Sequence, residues 1–246
     1  MHRLFVAIHL LLLAATAHAA QPQISVGTLF DYMEPGRSQL LKRVRNSGDA
    51  TAYVRVEVTR MHFDGQGNVT ETPVDAAALA RNEGGASGLI ASPSRMIIPA
   101  GNGQQATRLV FRGDRTQEQY YRVRYVPVIP DAGEFSLDAN QAENYQQGVQ
   151  AGVNVFTGYG TVVFVPPAAT RYDTQLHGPR VSNAGNATVV LDNLRQCNRA
   201  RPDECSGGVK VHVFPGRQHT LAEEEGFYSR FDLLEGTQRR TIDTRN

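Results

Sequence analysis

The residues of this 246-residue chain best suited to hold a metal or act as nucleophiles are its two cysteines and seven histidines, and their spacing limits what they can do. Cys197, Cys205, His212 and His219 follow one another at 7, 6 and 6 intervening residues. A structural zinc site wants its first pair as C-x2–4-C, so the series fails the strongest part of that signature and no metal is expected. Two cysteines this close fit a disulfide that closes a short loop, provided the chain reaches an oxidising compartment. Gly101-Asn102-Gly103-Gln104-Gln105-Ala106 fits the loose pattern G-x-G-x-x-A. It leads into a strand instead of opening a helix, so it reads as a hairpin turn and not a nucleotide cradle. Neither G-x-S-x-G nor H-E-x-x-H occurs. Enzymatic chemistry therefore has no visible carrier, and no catalytic residue or cofactor is expected.

Composition narrows the classes further. The chain is 41% apolar and 20% charged, which excludes intrinsic disorder. Lys+Arg 25 against Asp+Glu 24 leaves no basic excess for nucleic acid to read. The start supplies the compartment. Met1-His2-Arg3 is a short positive opening, Leu4 to Ala15 is an almost unbroken apolar run, and Ala17-His18-Ala19 offers small residues at the two positions a signal peptidase reads. Residues 1–19 read as a signal peptide cleaved after Ala19. The run is too short to span a bilayer, and no later segment approaches the length a span needs. An exported protein with no membrane insertion is expected, and export supports the Cys197–Cys205 disulfide.

Beyond residue 20 the chain reads as short strands between Gly, Pro, Asn and Asp turns. Expected strands are 24–30, 39–46, 52–61, 94–98, 105–111, 119–128 and 153–165, then 188–194, 209–214, 227–234 and 238–243. Within 51–61, Tyr53, Arg55, Glu57 and Thr59 alternate with Ala52, Val54, Val56 and Val58, giving one polar and one apolar face. An Ala-rich stretch at 75–81 suggests a turn or two of helix, and nothing else looks helical at length. Turn signals about every ten residues indicate a β-sandwich. Pro166-Pro167 cannot donate to a sheet ladder and forms a natural joint. That divides the chain into 20–166 and a smaller sandwich over 167–246. The segment 153–165 is about twice the usual strand length, which marks either a covered central strand or an exposed one available for β-augmentation. In the second case Val153, Val155, Thr157 and Tyr159 would form one row.

Three segments in order then resemble the signatures of periplasmic fimbrial chaperones of the PapD-like kind, closest to the alternate branch serving class 5 fimbriae. They are Ser87-Gly88-Leu89-Ile90-Ala91-Ser92-Pro93-Ser94-Arg95-Met96-Ile97-Ile98-Pro99-Ala100-Gly101, Tyr120-Tyr121-Arg122-Val123-Arg124-Tyr125 and Tyr159-Gly160-Thr161-Val162-Val163-Phe164-Val165-Pro166. The resemblance implies an all-β protein of two immunoglobulin-like β-sandwich domains in a boomerang arrangement. It also implies a periplasmic chaperone that binds fimbrial (pilin) subunits by donor-strand complementation and delivers them to an outer-membrane usher. In that reading 153–165 is the donor strand, and a self-capping homodimer is one state of the free strand. The alternative from another class is a secreted structural or adhesive fimbrial subunit.

One departure concerns the subunit's terminal carboxylate. The family anchors it with an Arg in the first strand and a Lys in the long strand, and those positions here are Gly27 and Val162. A buried carboxylate needs a cation, and Arg supplies two parallel charge-assisted hydrogen bonds. Arg122 and Arg124, which share a strand face at i, i+2, and Arg60 at the end of another strand are the candidate anchors, against the reading that they are solvated surface charges.

Overall fold

A computed structural model describes residues 20–64, 66–81, 85–150 and 156–245 of the chain. Two-residue alternation dominates it, and the chain is all-β as expected. The first sandwich has one sheet ordered β1 (Ile24–Ser25), β3 (Gln39–Asn46), β8 (Gly103–Arg112), β6 (Gly88–Ser92). Its second sheet runs β2 (Phe30–Tyr32), β10 (Tyr159–Val165), β9 (Gln119–Val128), β4 (Ala52–Phe63), β5 (Val69–Pro73), with β7 (Arg95–Ile98) also paired to β4. The second sandwich pairs β11 (Thr174–His177), β12 (Arg180–Asn183) and β15 (Gln218–Thr220) in one sheet. Its other sheet runs β14 (Val209–Val213), β13 (Val189–Asn198), β16 (Phe227–Glu235), β17 (Gln238–Asp243).

Each sandwich has its own core. On β9 every second residue is buried, so Tyr121, Val123 and Tyr125 meet Val54 and Val56 of β4, Val163 and Val165 of β10, and Leu89 and Leu109 of the facing sheet. The second core gathers Val181, Val189, Leu191, Phe231 and Leu233. Each large side chain withdrawn from water stabilises its domain by about 1.5–3 kcal/mol. The Cys197–Cys205 disulfide is formed and belongs to the second sandwich, so both sulfurs are unavailable as metal ligands.

The same turn is built twice. Arg43-Val44-Arg45-Asn46-Ser47-Gly48-Asp49-Ala50-Thr51 parallels Arg180-Val181-Ser182-Asn183-Ala184-Gly185-Asn186-Ala187-Thr188. In each, a fully buried asparagine closes the corner. Asn46 Nδ2 donates to Ala50 O and Ile98 O at 2.8 and 3.1 Å, and Asn183 Nδ2 to Ala187 O and Val213 O at 2.9 and 2.8 Å. Their Oδ1 atoms accept from Gly48 N and Gly185 N. Glycine is required there because a Cβ would lie 2.1 Å from Gln21 O or 2.5 Å from Arg171 O.

Several expectations change. The single strand over 24–30 is instead β1 and β2, in opposite sheets. Asp31 on β2 and Lys42 on β3 form a buried ion pair (2.8 Å), and Lys42 Nζ also donates to Thr28 O at 2.6 Å, which fixes the crossing. The turn at Gly101–Gly103 is no hairpin, because β7 and β8 belong to different sheets. The long strand over 153–165 begins only at Tyr159. Phe156–Gly158 have no strand structure, and 151–155 lie outside the described residues. A second helix, Ala139–Gln150, follows a single turn of 3-10 helix at Glu134–Ser136, alongside the expected helix at Ala76–Arg81. Asp138 caps it reciprocally. Its Oδ1 accepts from Gln141 N at 2.8 Å while Gln141 Oε1 accepts from Asp138 N at 3.0 Å.

Candidate functional site

The final strand of the first sandwich has one side that is only partly covered. β10 pairs with β9 along its whole length, from Tyr159↔Tyr125 to Val165↔Gln119. On its other side β2 pairs only at Val162, Val163 and Phe164. Val162 N donates to Leu29 O (2.8 Å) and Phe164 O accepts from Met33 N (2.9 Å), so even-numbered residues turn their backbone groups to this side. Gly160 follows the same alternation and presents its N–H and C=O beyond the end of β2. Tyr159 is half-buried against the first core, on the face shared by Thr161, Val163 and Val165. Thr157 precedes the strand, and Val153 and Val155 lie outside the described residues.

The outer face of this sheet carries the arginines. Arg122 stands opposite Val162 and Arg124 opposite Gly160. A Cβ at Gly160 would lie 3.4 Å from Arg122 Cδ. Both guanidinium groups converge on Glu71 of β5: Arg122 Nε lies 3.2 Å from Glu71 Oε1 and Arg124 Nη1 2.8 Å from Oε2. Thr59 of β4 adds a hydroxyl donor to Oε2 at 2.7 Å. The hydrogen bond from Arg124, with those from Thr59 and Arg122, holds the Glu71 carboxyl down at about 2 despite partial burial. The three candidate arginines are not one cluster. Arg60 pairs in register with the core residue Tyr121, so it belongs to the opposite face of the sheet from Arg122 and Arg124. At Gly27 the backbone has φ 69°, a conformation an arginine would adopt only with strain.

Two structures border this cationic window. At one end Phe164, Tyr120, Phe30 and Tyr32 meet His212 of β14 and Phe214. The Phe164 and His212 rings stack at 4.9 Å, Tyr120 and Phe214 pack edge to face at 5.2 Å, and Tyr32 Oη lies 2.6 Å from His212 Nε2. Beneath them Glu118 accepts from Thr188 N, Thr188 Oγ1 and Tyr120 Oη at 2.9, 2.6 and 2.6 Å. Its burial pushes the carboxyl pKa up. The sequence reading missed this joint, because none of its residues forms a spaced motif. At the other end the helix Ala139–Gln150 covers the start of β4: Tyr145 donates to Thr51 O at 2.7 Å and packs edge-on against Tyr53. Arg55 grips Glu134 with two hydrogen bonds of 2.7 Å. Among the described residues no group of three or more His, Cys, Asp or Glu could hold a metal ion, and no helix is long and apolar enough to cross a membrane.

Two sandwiches, an incompletely covered last strand and a cationic window beside it define a binding architecture, with the fold of a PapD-like fimbrial chaperone. The comparisons agree. The class 5 fimbriae chaperone CfaA matches with a TM-score of 0.54 at 17% identity, covering 91% of this chain and 100% of that one. A chain of the CsuC–CsuE chaperone–tip adhesion subunit complex of Acinetobacter baumannii matches with a TM-score of 0.51 at 13% identity, over 91% and 98%. In sequence, a probable fimbrial chaperone EcpB of Escherichia coli O157:H7 is 24% identical over 235 residues, 93% of this chain and 96% of that protein. No family model matches the chain. Over nearly its whole length the chain is thus similar in sequence to probable fimbrial chaperones and shares the two-sandwich fold of the PapD-like kind, and the alternative of a fimbrial subunit is not favoured.

Proposed function

We propose that this protein acts in the periplasm after cleavage behind Ala19, lends β10 and the residues before it as a strand to an incomplete fimbrial subunit, and passes the subunit to an outer-membrane usher. The observation that carries this reading is the β10 edge at Tyr159–Thr161, which β2 leaves uncovered. Backbone groups supply affinity there, and alternate side chains supply fit. In this reading Val153, Val155, Thr157 and Tyr159 are the row offered to a subunit groove. Burial of the two valines contributes about 1.5–3 kcal/mol each. A strand added parallel to β10 must end where β2 takes over at Val162. Arg122 stands opposite that residue, so a terminal carboxylate arriving there meets Arg122 first and Arg124 next. Arg60, on the other face, is assigned no part in this anchor. The units 20–166 and 167–246 are treated as the two domains, with the cleft between them.

The test is co-secretion with the fimbrial subunit encoded beside this chain. The wild type should capture it, and Val155→Asp and Arg122→Ala should each lose it by at least about tenfold, as expected for one or two charge-assisted hydrogen bonds or a desolvated charge. Circular dichroism should show both variants folded. A wild type that captures no subunit removes the chaperone mechanism. Retention by Arg122→Ala alone moves the anchor elsewhere.

A further inference from the structure

The carboxylate anchor of this protein is already loaded with a carboxylate of its own. Both oxygens of Glu71 are engaged, Oε1 by Arg122 Nε (3.2 Å) and Oε2 by Arg124 Nη1 (2.8 Å) and Thr59 Oγ1 (2.7 Å). This is the donor set a chain terminus would need: two guanidinium groups and a hydroxyl converging on two oxygens. Glu71 is also placed to leave. It sits on β5, the outermost strand of its sheet, whose residues are mostly exposed and which pairs only with β4. Arg122 and Arg124, in contrast, are fixed in β9 between β4 and β10.

We propose that Glu71 is an internal stand-in for the subunit's terminal carboxylate, which it blocks in the free protein and yields to on binding, so that anchoring is an exchange of one carboxylate for another. This rests on the anchoring role given above to Arg122 and Arg124. The exchange has two consequences. The guanidinium pair keeps a carboxylate partner when the protein is empty. Affinity for an arriving carboxylate is lowered by the fraction of time Glu71 holds the seat, which keeps a captured subunit releasable.

The test uses a minimal chain terminus, N-acetylglycine, with N-acetylglycinamide as the uncharged control, followed on the arginine Nε–H signals of the full-length mature protein. In Glu71→Gln the arginine signals should respond to N-acetylglycine at least about tenfold more tightly than in the wild type. The amide should move neither protein, and the double variant Glu71→Gln/Arg122→Gln should lose the response. Equal affinity in the wild type and Glu71→Gln overturns the exchange while leaving the carboxylate seat in place. If neither protein responds to N-acetylglycine, the seat and the exchange fall together. The co-secretion assay on the same proteins then tells whether strand donation stands without them. A thermal unfolding midpoint for Glu71→Gln equal to or above that of the wild type would confirm that a tighter response is not a product of partial unfolding.

Discussion

His212 shows how one side chain can tie the stability of this molecule to pH. Burial among Phe30, Tyr32 and Phe164, with Lys210 nearby, pushes its pKa down from 6.5 to about 4. A base whose folded pKa is depressed binds fewer protons folded than unfolded. Its contribution is therefore complete above about 6.5 and lost as pH falls toward about 4. After discounting for partial exposure this is worth about 1 kcal/mol, or a fall of about 2–4 °C in the unfolding midpoint. His212→Phe keeps a ring in the stack and should flatten that part of the curve. Glu118, whose raised pKa acts in the opposite direction, is common to both proteins and cancels in the difference. If both lose stability equally between pH 6.5 and 4, His212 is not the group responsible. At this scale the sequence told only part of the site. The i, i+2 spacing correctly put Arg122 and Arg124 on one face, because strand parity is local. That Arg60 points the other way follows from the same parity, since it continues the apolar row of Val54, Val56 and Val58, but that Glu71 already occupies the pair depends on the register of β4 against β9 and β5. No spacing along the chain encodes that register.

Among the elements, strands with clean alternation were legible. Expected 39–46, 119–128 and 238–243 coincide with β3, β9 and β17. The short strands β5, β11, β12 and β15 were not read, since three to five residues with a mixed pattern carry little periodic signal. The helix Ala139–Gln150 was missed because ANQAENYQQGVQ is polar nearly all round. Its signals were the capping pair Asp138 and Gln141 and the spacing of Ala142, Tyr145 and Val149 at i, i+3, i+7. The repeat of the turns at Asn46 and Asn183 was not read, although its residues mark corresponding corners of the two sandwiches. The cap gives a direct test. Asp138→Ala should weaken the helix by about 1 kcal/mol and speed exchange of its amides about fivefold, with the global unfolding midpoint moving by less than about 3 °C. A matching drop in both would mean that the helix unfolds with the sandwich it covers.

For the whole molecule, the arrangement is a sheet face divided into three. The second sandwich closes one end through an aromatic joint, the helix closes the other, and the cationic window lies between them beside the uncovered edge of β10. Donation of a strand and capture of a carboxylate would thus occur side by side, one using backbone groups and the other side chains. The apolar length of 153–165 drew attention to this region in the sequence, yet among the described residues its strand is the seven residues of β10. The availability of the edge comes from where β2 stops, a feature of the crossing between β1 and β2. The most direct measurement is hydrogen exchange at the Gly160 amide, which points to the open side, with the Val163 amide, on the β9 side, as internal reference. In the free protein Gly160 should exchange much faster than Val163, and in the complex with a fimbrial subunit its protection should rise by at least about 100-fold. An unchanged Gly160 in a formed complex would contradict strand donation from β10.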